Sequence, residues 1–118
     1  MKKSNPIVDK SFDFAVDIVT VCKELQTQQK EFVLSRQLLR SGTAIGALIR
    51  ESQNGESKKD FIHKLSISQK ECDETMYWLD LLHRTEYLSD ENHNQLHAEA
   101  TQLLKLLKII INSIRRNL

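Results

Sequence analysis

Glycine and proline are scarce in this chain, at three Gly and one Pro in 118 residues. That is too few for the turns of a sandwich or barrel, or for a glycine-rich phosphate loop. Net charge is also nearly absent, at +1, so total charge gives no argument for nucleic acid or a membrane. Two cysteines, Cys22 and Cys72, form no CxxC pair, which indicates neither a zinc ribbon nor a disulfide framework and suits reduced thiols in a cytoplasm. No long apolar run occurs. Leu103 to Ile111 is interrupted by Lys105 and Lys108 and falls short of the roughly 20 residues of a membrane span. The basic start, MKKSNP, is followed by Asp9, Asp13 and Asp17, which deny it the apolar core of a secretory leader.

What remains is 40% hydrophobic and 28% charged, the composition of one ordinary globular domain. Helical periodicity organises it. Phe12, Ala15, Val16, Val19, Cys22 and Leu25 recur at three- and four-residue steps and predict an amphipathic helix over 8–26. The polar run 26–30 reads as a turn, and Leu34, Leu38, Ile45, Leu48 and Ile49 mark a second helix over 31–53. Ser57 and Asp60 resemble a capping box opening a third helix over 58–87, with Phe61, Leu65, Ser68, Cys72, Thr75, Leu79 and Leu82 on one face. Ser89 reads as the N-cap of a fourth helix over 90–116. Leu96, Ala100, Leu103, Leu104, Leu107, Ile110, Ile111 and Ile114 form its stripe, and Arg115 and Arg116 lie in its last turn. Short connections predict an all-α, antiparallel, up-down-up-down four-helix bundle.

Catalytic and metal chemistry find little to work with. His93 and His97 share a helical face, but Asn94 stands where a metalloprotease needs Glu. The spaced pairs Asp60/His63, Asp80/His83 and Asp90/His93 do not supply the Glu-rich ligand set of a di-iron bundle. Cys22 and Cys72 lie on apolar stripes, where a thiol behaves as a small hydrophobe, and no GxSxG elbow is present. The expectation is a protein that is not an enzyme, with no metal, no cofactor and no small-molecule substrate.

Charge is uneven along the chain. Residues 1–50 carry +3, residues 51–91 carry −5 and residues 92–118 carry +3. Arg36 and Arg40 lie one turn apart on the second helix, placed either to grip phosphates or to pair with Glu71 and Glu74 of the third. Lys105, Lys108, Arg115 and Arg116 give the last helix a basic side, a candidate contact for RNA or DNA. The acidic third helix offers a protein partner a docking surface instead. Gly42 and Gly46 each cost up to about 1 kcal/mol relative to Ala in a helix. With Ser41, Thr43 and Ala44 they make a stretch without bulk, which points to close helix packing within or between subunits. Trp78, beside Tyr77, is a further packing or interface residue.

The second and third helices, FVLSRQLLRSGTAIGALIRES and SKKDFIHKLSISQKECDETMYWLDLL, resemble the four helix bundle family also called 23S ribosomal RNA intervening-sequence proteins. The resemblance covers nearly the whole chain and rests most on Phe32 to Leu82, through Gln37, Leu38, Arg40, Ser41, Ala44, Ile45, Gly46 and Glu51. The chain departs from the family pattern at Leu48, Ile49 and Arg50. The resemblance implies a bacterial, cytoplasmic homo-oligomer, a homopentameric ring in structurally known relatives, acting as an RNA-associated scaffold. A related branch serves diversity-generating retroelements, where a basic pentamer contacts nucleic acid and a reverse transcriptase. It carries over no catalytic residues.

Overall fold

The computed structural model describes residues 5–117; Lys2 and Lys3 of the basic start lie outside them. Four helices follow in order, α1 (Pro6–Gln28), α2 (Val33–Ser52), α3 (Lys58–Arg84) and α4 (Asp90–Arg116). Consecutive helices pack together and α1 closes the set against α4, whereas α2 and α4, like α1 and α3, lie diagonally without contact among the described residues. Short connections and this closed contact order make an up-down bundle measuring 47 × 29 × 22 Å.

Each helix starts for a local reason. Pro6 stands in the first turn of α1, where its missing N–H is no loss. The helix runs through Gln28, two residues past its expected end, and the chain reverses at Lys30 with φ 55°. The Glu31 carboxylate then accepts from the amides of Val33, Leu34 and Ser35 at 3.2, 3.1 and 2.7 Å, which satisfies three orphan donors of α2. Ser57 and Ser89 cap α3 and α4 by accepting from the amides of Asp60 and Asn92, both at 3.1 Å. α3 stops at Arg84, three residues before the expected end, because Glu86 takes φ 69° and the amides of Tyr87 and Leu88 fold back on the Leu82 carbonyl.

The core buries most of the expected stripes, with Leu65, Ser68, Cys72, Thr75, Leu79 and Leu82 of α3 and Leu96, Ala100, Leu103, Leu107 and Ile111 of α4. Ile62 rather than Phe61 is buried at the start of α3, and Leu104, Ile110 and Ile114 are only partly buried. In α2, Leu38, Ile45 and Ile49 are fully buried. Helix α1 corrects the sequence reading. Its buried line is Ile7, Ser11, Phe14, Ile18, Val21, Cys22 and Leu25, whereas Phe12 is 54% and Val16 49% exposed. Two apolar lines overlap on this helix, and α2 and α4 cover only one of them.

Buried hydroxyls lock helices together as well as filling space. Ser68 Oγ donates to the Ile45 carbonyl at 3.0 Å, and Thr75 Oγ1 lies 3.0 Å from Ser41 Oγ, so α3 is stitched to α2 at two levels. Cys22 Sγ donates to the Ser35 carbonyl at 3.4 Å and Cys72 Sγ to the Ala100 carbonyl at 3.3 Å. These contacts answer groups whose burial without partners would cost stability.

Gly42 and Gly46 face α1 within the same subunit. A Cβ at Gly42 would stand 2.9 Å from Ile18, and one at Gly46 would stand 3.2 Å from the Ser11 carbonyl oxygen. Close approach of α1 to α2 therefore explains both glycines, as intramolecular packing.

Candidate nucleic-acid interface

The basic residues singled out from the sequence do not form one patch. Arg40 is engaged: its guanidinium lies 3.1 Å from a Glu71 carboxylate oxygen and also contacts Glu74. Glu74 further accepts from the Trp78 indole at 3.1 Å. Trp78 is half-buried against the core, with the exposed Tyr77 ring edge-on at 5.0 Å. Arg36 is exposed on α2, the helix diagonal to α4, so it cannot join the bases of α4 on one face of the subunit.

Helix α4 carries the other set. Lys105, Lys108, Arg115 and Arg116 are all exposed, together with Asn112. Thr101 to Asn117 contains no acid, so nothing on this half of the helix neutralises them. Steps of three, seven and one residue keep the four within the solvent half of α4. Arg115 and Arg116 also sit at the helix C-terminus, where the macrodipole favours cations. Exposed, uncompensated bases along a helix are the arrangement that phosphate backbones recognise by charge.

Three of the five carboxylates of α3 have a partner inside the subunit. Glu71 and Glu74 meet Arg40, and Asp80 Oδ1 lies 2.8 Å from His93 Nε2. His83 and His93 stack at 4.2 Å between ring centroids, and His83 Nε2 lies 2.6 Å from Asp90 Oδ1. His93 and His97 thus belong to a packed polar end of the α3–α4 hairpin. Among the described residues no three His, Cys, Asp or Glu side chains are grouped to hold a metal ion.

Burial pushes the thiols of Cys22 and Cys72 up to about 12, with Glu31 and Asp73 adding to the effect. Both therefore stay protonated at neutral pH and lack the thiolate a nucleophile needs. On the opposite seam, burial raises the Glu99 carboxyl above its ordinary value, and Asp17 reinforces the rise. Glu99 Oε2 is buried without a hydrogen-bond partner.

Two surface features have no signal in the sequence reading. A groove of about 410 Å³ lies between α1 and α2, lined by Val8, Phe12, Ala15, Gly46, Ala47 and Arg50 among others. The Arg50 guanidinium lies 5.7 Å from the Phe12 ring centroid, within cation–π range. On α4, Ile109 is 64% exposed among the bases. The groove was hidden because Phe12 and Ala15 fit the same helical period as true core positions.

Fold and surface together define a small four-helix bundle with a basic helix. The family model for 23S rRNA-intervening sequence proteins matches residues 3–109. The chain belongs to that family. A crystal structure of a protein of unknown function from the S23 ribosomal protein family of Bacteroides thetaiotaomicron is similar to it at 52% identity. That match covers 89% of this chain and 97% of the other, with a TM-score of 0.88. Comparison with curated proteins finds no match. Among the described residues no helix is long and apolar enough to cross a membrane.

Proposed function

We propose that this protein is a non-enzymatic helical scaffold that assembles as a homo-oligomer, a pentamer by family resemblance, and associates with RNA through the C-terminal half of α4. The observation that carries the RNA half is the exposure of Lys105, Lys108, Arg115 and Arg116 on a segment without acids. The family description, which names the intervening sequence of 23S rRNA, supports RNA over DNA. Exposed apolar side chains at Phe12, Val16 and Ile109 support assembly. This reading places the protein in the cytoplasm, in line with two free thiols at Cys22 and Cys72.

The mechanism is electrostatic. Bases on α4 displace counterions from the phosphate backbone, so affinity falls as salt rises, and repetition of the helix around an oligomer multiplies a weak contact. Fluorescence anisotropy with a structured 23S rRNA fragment, read across a salt series, tests it. Lys108→Glu with Arg115→Glu is expected to weaken binding about tenfold or more and to flatten the log–log salt slope by about 2. Arg40→Ala, whose guanidinium is already held by Glu71 and Glu74, is expected to leave binding unchanged. Equal affinity for the double charge reversal and the native protein would overturn the reading. Docking of a protein on α3 has less support, since Arg40 and His93 already occupy three of its five carboxylates, Glu71, Glu74 and Asp80.

A further inference from the structure

We infer that the basic face of α4 continues across the α3–α4 seam onto the first turn of α3, through Lys59, and that the surface so formed grips the phosphate backbone of base-paired RNA rather than a single strand. This rests on the RNA reading above and adds a second helix and the form of the nucleic acid.

Register brings the bases of the two helices together. His97 Nε2 lies 3.9 Å from Asp80 Oδ1, so the His97 line of α4 faces α3. Lys108 follows His97 by about three turns and Arg115 by about five, which returns both to that line. The level is fixed by Cys72 of α3, which donates to the Ala100 carbonyl of α4. Counting equally far along the antiparallel pair sets exposed Lys59 level with Ser113, beside Arg115 and about 8 Å from the level of Lys108. Lys59 is turned roughly 60° from the Asp80 line of α3, towards solvent.

Charge distinguishes the two flanks of α4. On the α1 side Glu99 shares a recess with Asp13 and Lys10. On the α3 side the ion pairs of Lys64 with Glu51 and of Glu71 and Glu74 with Arg40 all turn towards α2, away from the seam. Asp60 lies back over Gly55 at the helix start, and Glu56 in the preceding connection is followed by two exposed lysines, Lys58 and Lys59. Exposed Asp73 ends the basic stretch about 21 Å beyond Lys59. Cations therefore gather on the α3 flank, at the end of the bundle away from the α3–α4 hairpin.

The side chains present select the form of RNA. Proteins that hold single strands stack successive bases on aromatic rings. Helix α4 has no Phe, Tyr or Trp, Phe61 of α3 packs against the core, and exposed Tyr77 lies beyond Asp73 towards the hairpin. His63, one turn after Lys59, is a lone ring. Among the cations stands exposed Asn112, whose amide both donates and accepts, as a 2′-hydroxyl does. Phosphate and 2′-hydroxyl contacts are the means by which double-stranded RNA is recognised through its shape.

Fluorescence anisotropy with the full chain tests this on three probes of one sequence: an RNA duplex of about 16 base pairs, one of its strands alone, and the corresponding DNA duplex. The RNA duplex is expected to bind about tenfold or more tighter than the single strand, and tighter than the DNA duplex. Lys59→Glu places an acid in the first turn of a helix, where it is favoured, so circular dichroism and melting should stay native. It is expected to weaken duplex binding about threefold to tenfold and to lower the log–log salt slope by about 1. Arg36→Glu, on the diagonal helix α2, is expected to change neither. A single strand bound as tightly as the duplex overturns the duplex reading, and a Lys59→Glu protein with native affinity and slope overturns the crossing onto α3. Equal affinity for the RNA and DNA duplexes overturns the 2′-hydroxyl contact. Binding to the structured 23S rRNA fragment with none to the RNA duplex overturns this inference alone, whereas binding to neither overturns it together with the RNA reading.

Discussion

Gly42 of α2 sits so close to Ile18 of α1 that an added Cβ would lie 2.9 Å from both Cγ atoms of the isoleucine. Ile18 is fully buried, so its branched side chain has little freedom to withdraw. The α1–α2 spacing is therefore set by the absence of a side chain at one position.

Replacement of Gly42 by Ala tests that relationship against helix propensity. Propensity favours Ala by up to about 1 kcal/mol, and overpacking of a filled core costs about 1–3 kcal/mol. The overlap involves the root of a buried side chain, so the steric cost should win. Urea denaturation is expected to show a net loss of roughly 1–2 kcal/mol; an unchanged or higher midpoint would mean that Ile18 yields freely.

Glu99 predicts a pH dependence with a definite sign. Its carboxyl is raised in the folded state by burial first and by Asp17 second, with Asp13 adding and Gln95 opposing. Lys10 lines the same recess as Asp13 and Glu99. Between the ordinary value of 4.5 and the higher folded value, the native state holds more protons than the unfolded chain. Stability contributed by this group is thus complete below 4.5 and declines as pH rises through the folded value. Glu99→Gln removes that titration. The stability difference between variant and native protein, from urea midpoints at mildly acid to mildly alkaline pH, should grow in the variant's favour with rising pH. A difference constant across the series would contradict this account of the α1–α4 seam.

The thiols give a prediction that needs no mutation. At pH values near 12 for half-ionisation, Cys22 and Cys72 carry on the order of one ten-thousandth thiolate at pH 8, far below a free cysteine. A disulfide reagent should titrate neither thiol in the native protein over minutes and both in denaturant. Fast reaction of either one in the folded state would show that its helix opens readily.

Much of the fold was legible because the responsible forces are local. Ser57 and Ser89 announce their helices through a hydroxyl three residues from an orphan amide, and that bond needs no tertiary partner. The stripes of α3 and α4 were readable in outline because their buried residues recur at helical spacing, although on α4 the apolar surface runs wider than the buried line, through Leu104, Ile110 and Ile114. On α1 two lines compete, and periodicity alone selected Phe12 and Val16, which the bundle leaves exposed. The end of α3 was overrun because the left-handed turn at Glu86 falls on a residue type without preference for it. Of the candidate bases, those on α4 were legible as exposed from their place opposite its stripe, but the fate of Arg40 was not.

What the sequence by itself determined is the inventory: four amphipathic helices, two serine caps, one acid-free basic segment and two apolar cysteines, all consequences of residue type at helical spacing. Tertiary structure decided which line of α1 turns inward, that Arg40 belongs to Glu71 and Glu74, that Gly42 exists for Ile18, and that Arg36 and the α4 bases occupy diagonal helices. Those outcomes depend on the relative rotation and spacing of helices, which is set by the fit of one surface against another and is written in no single segment.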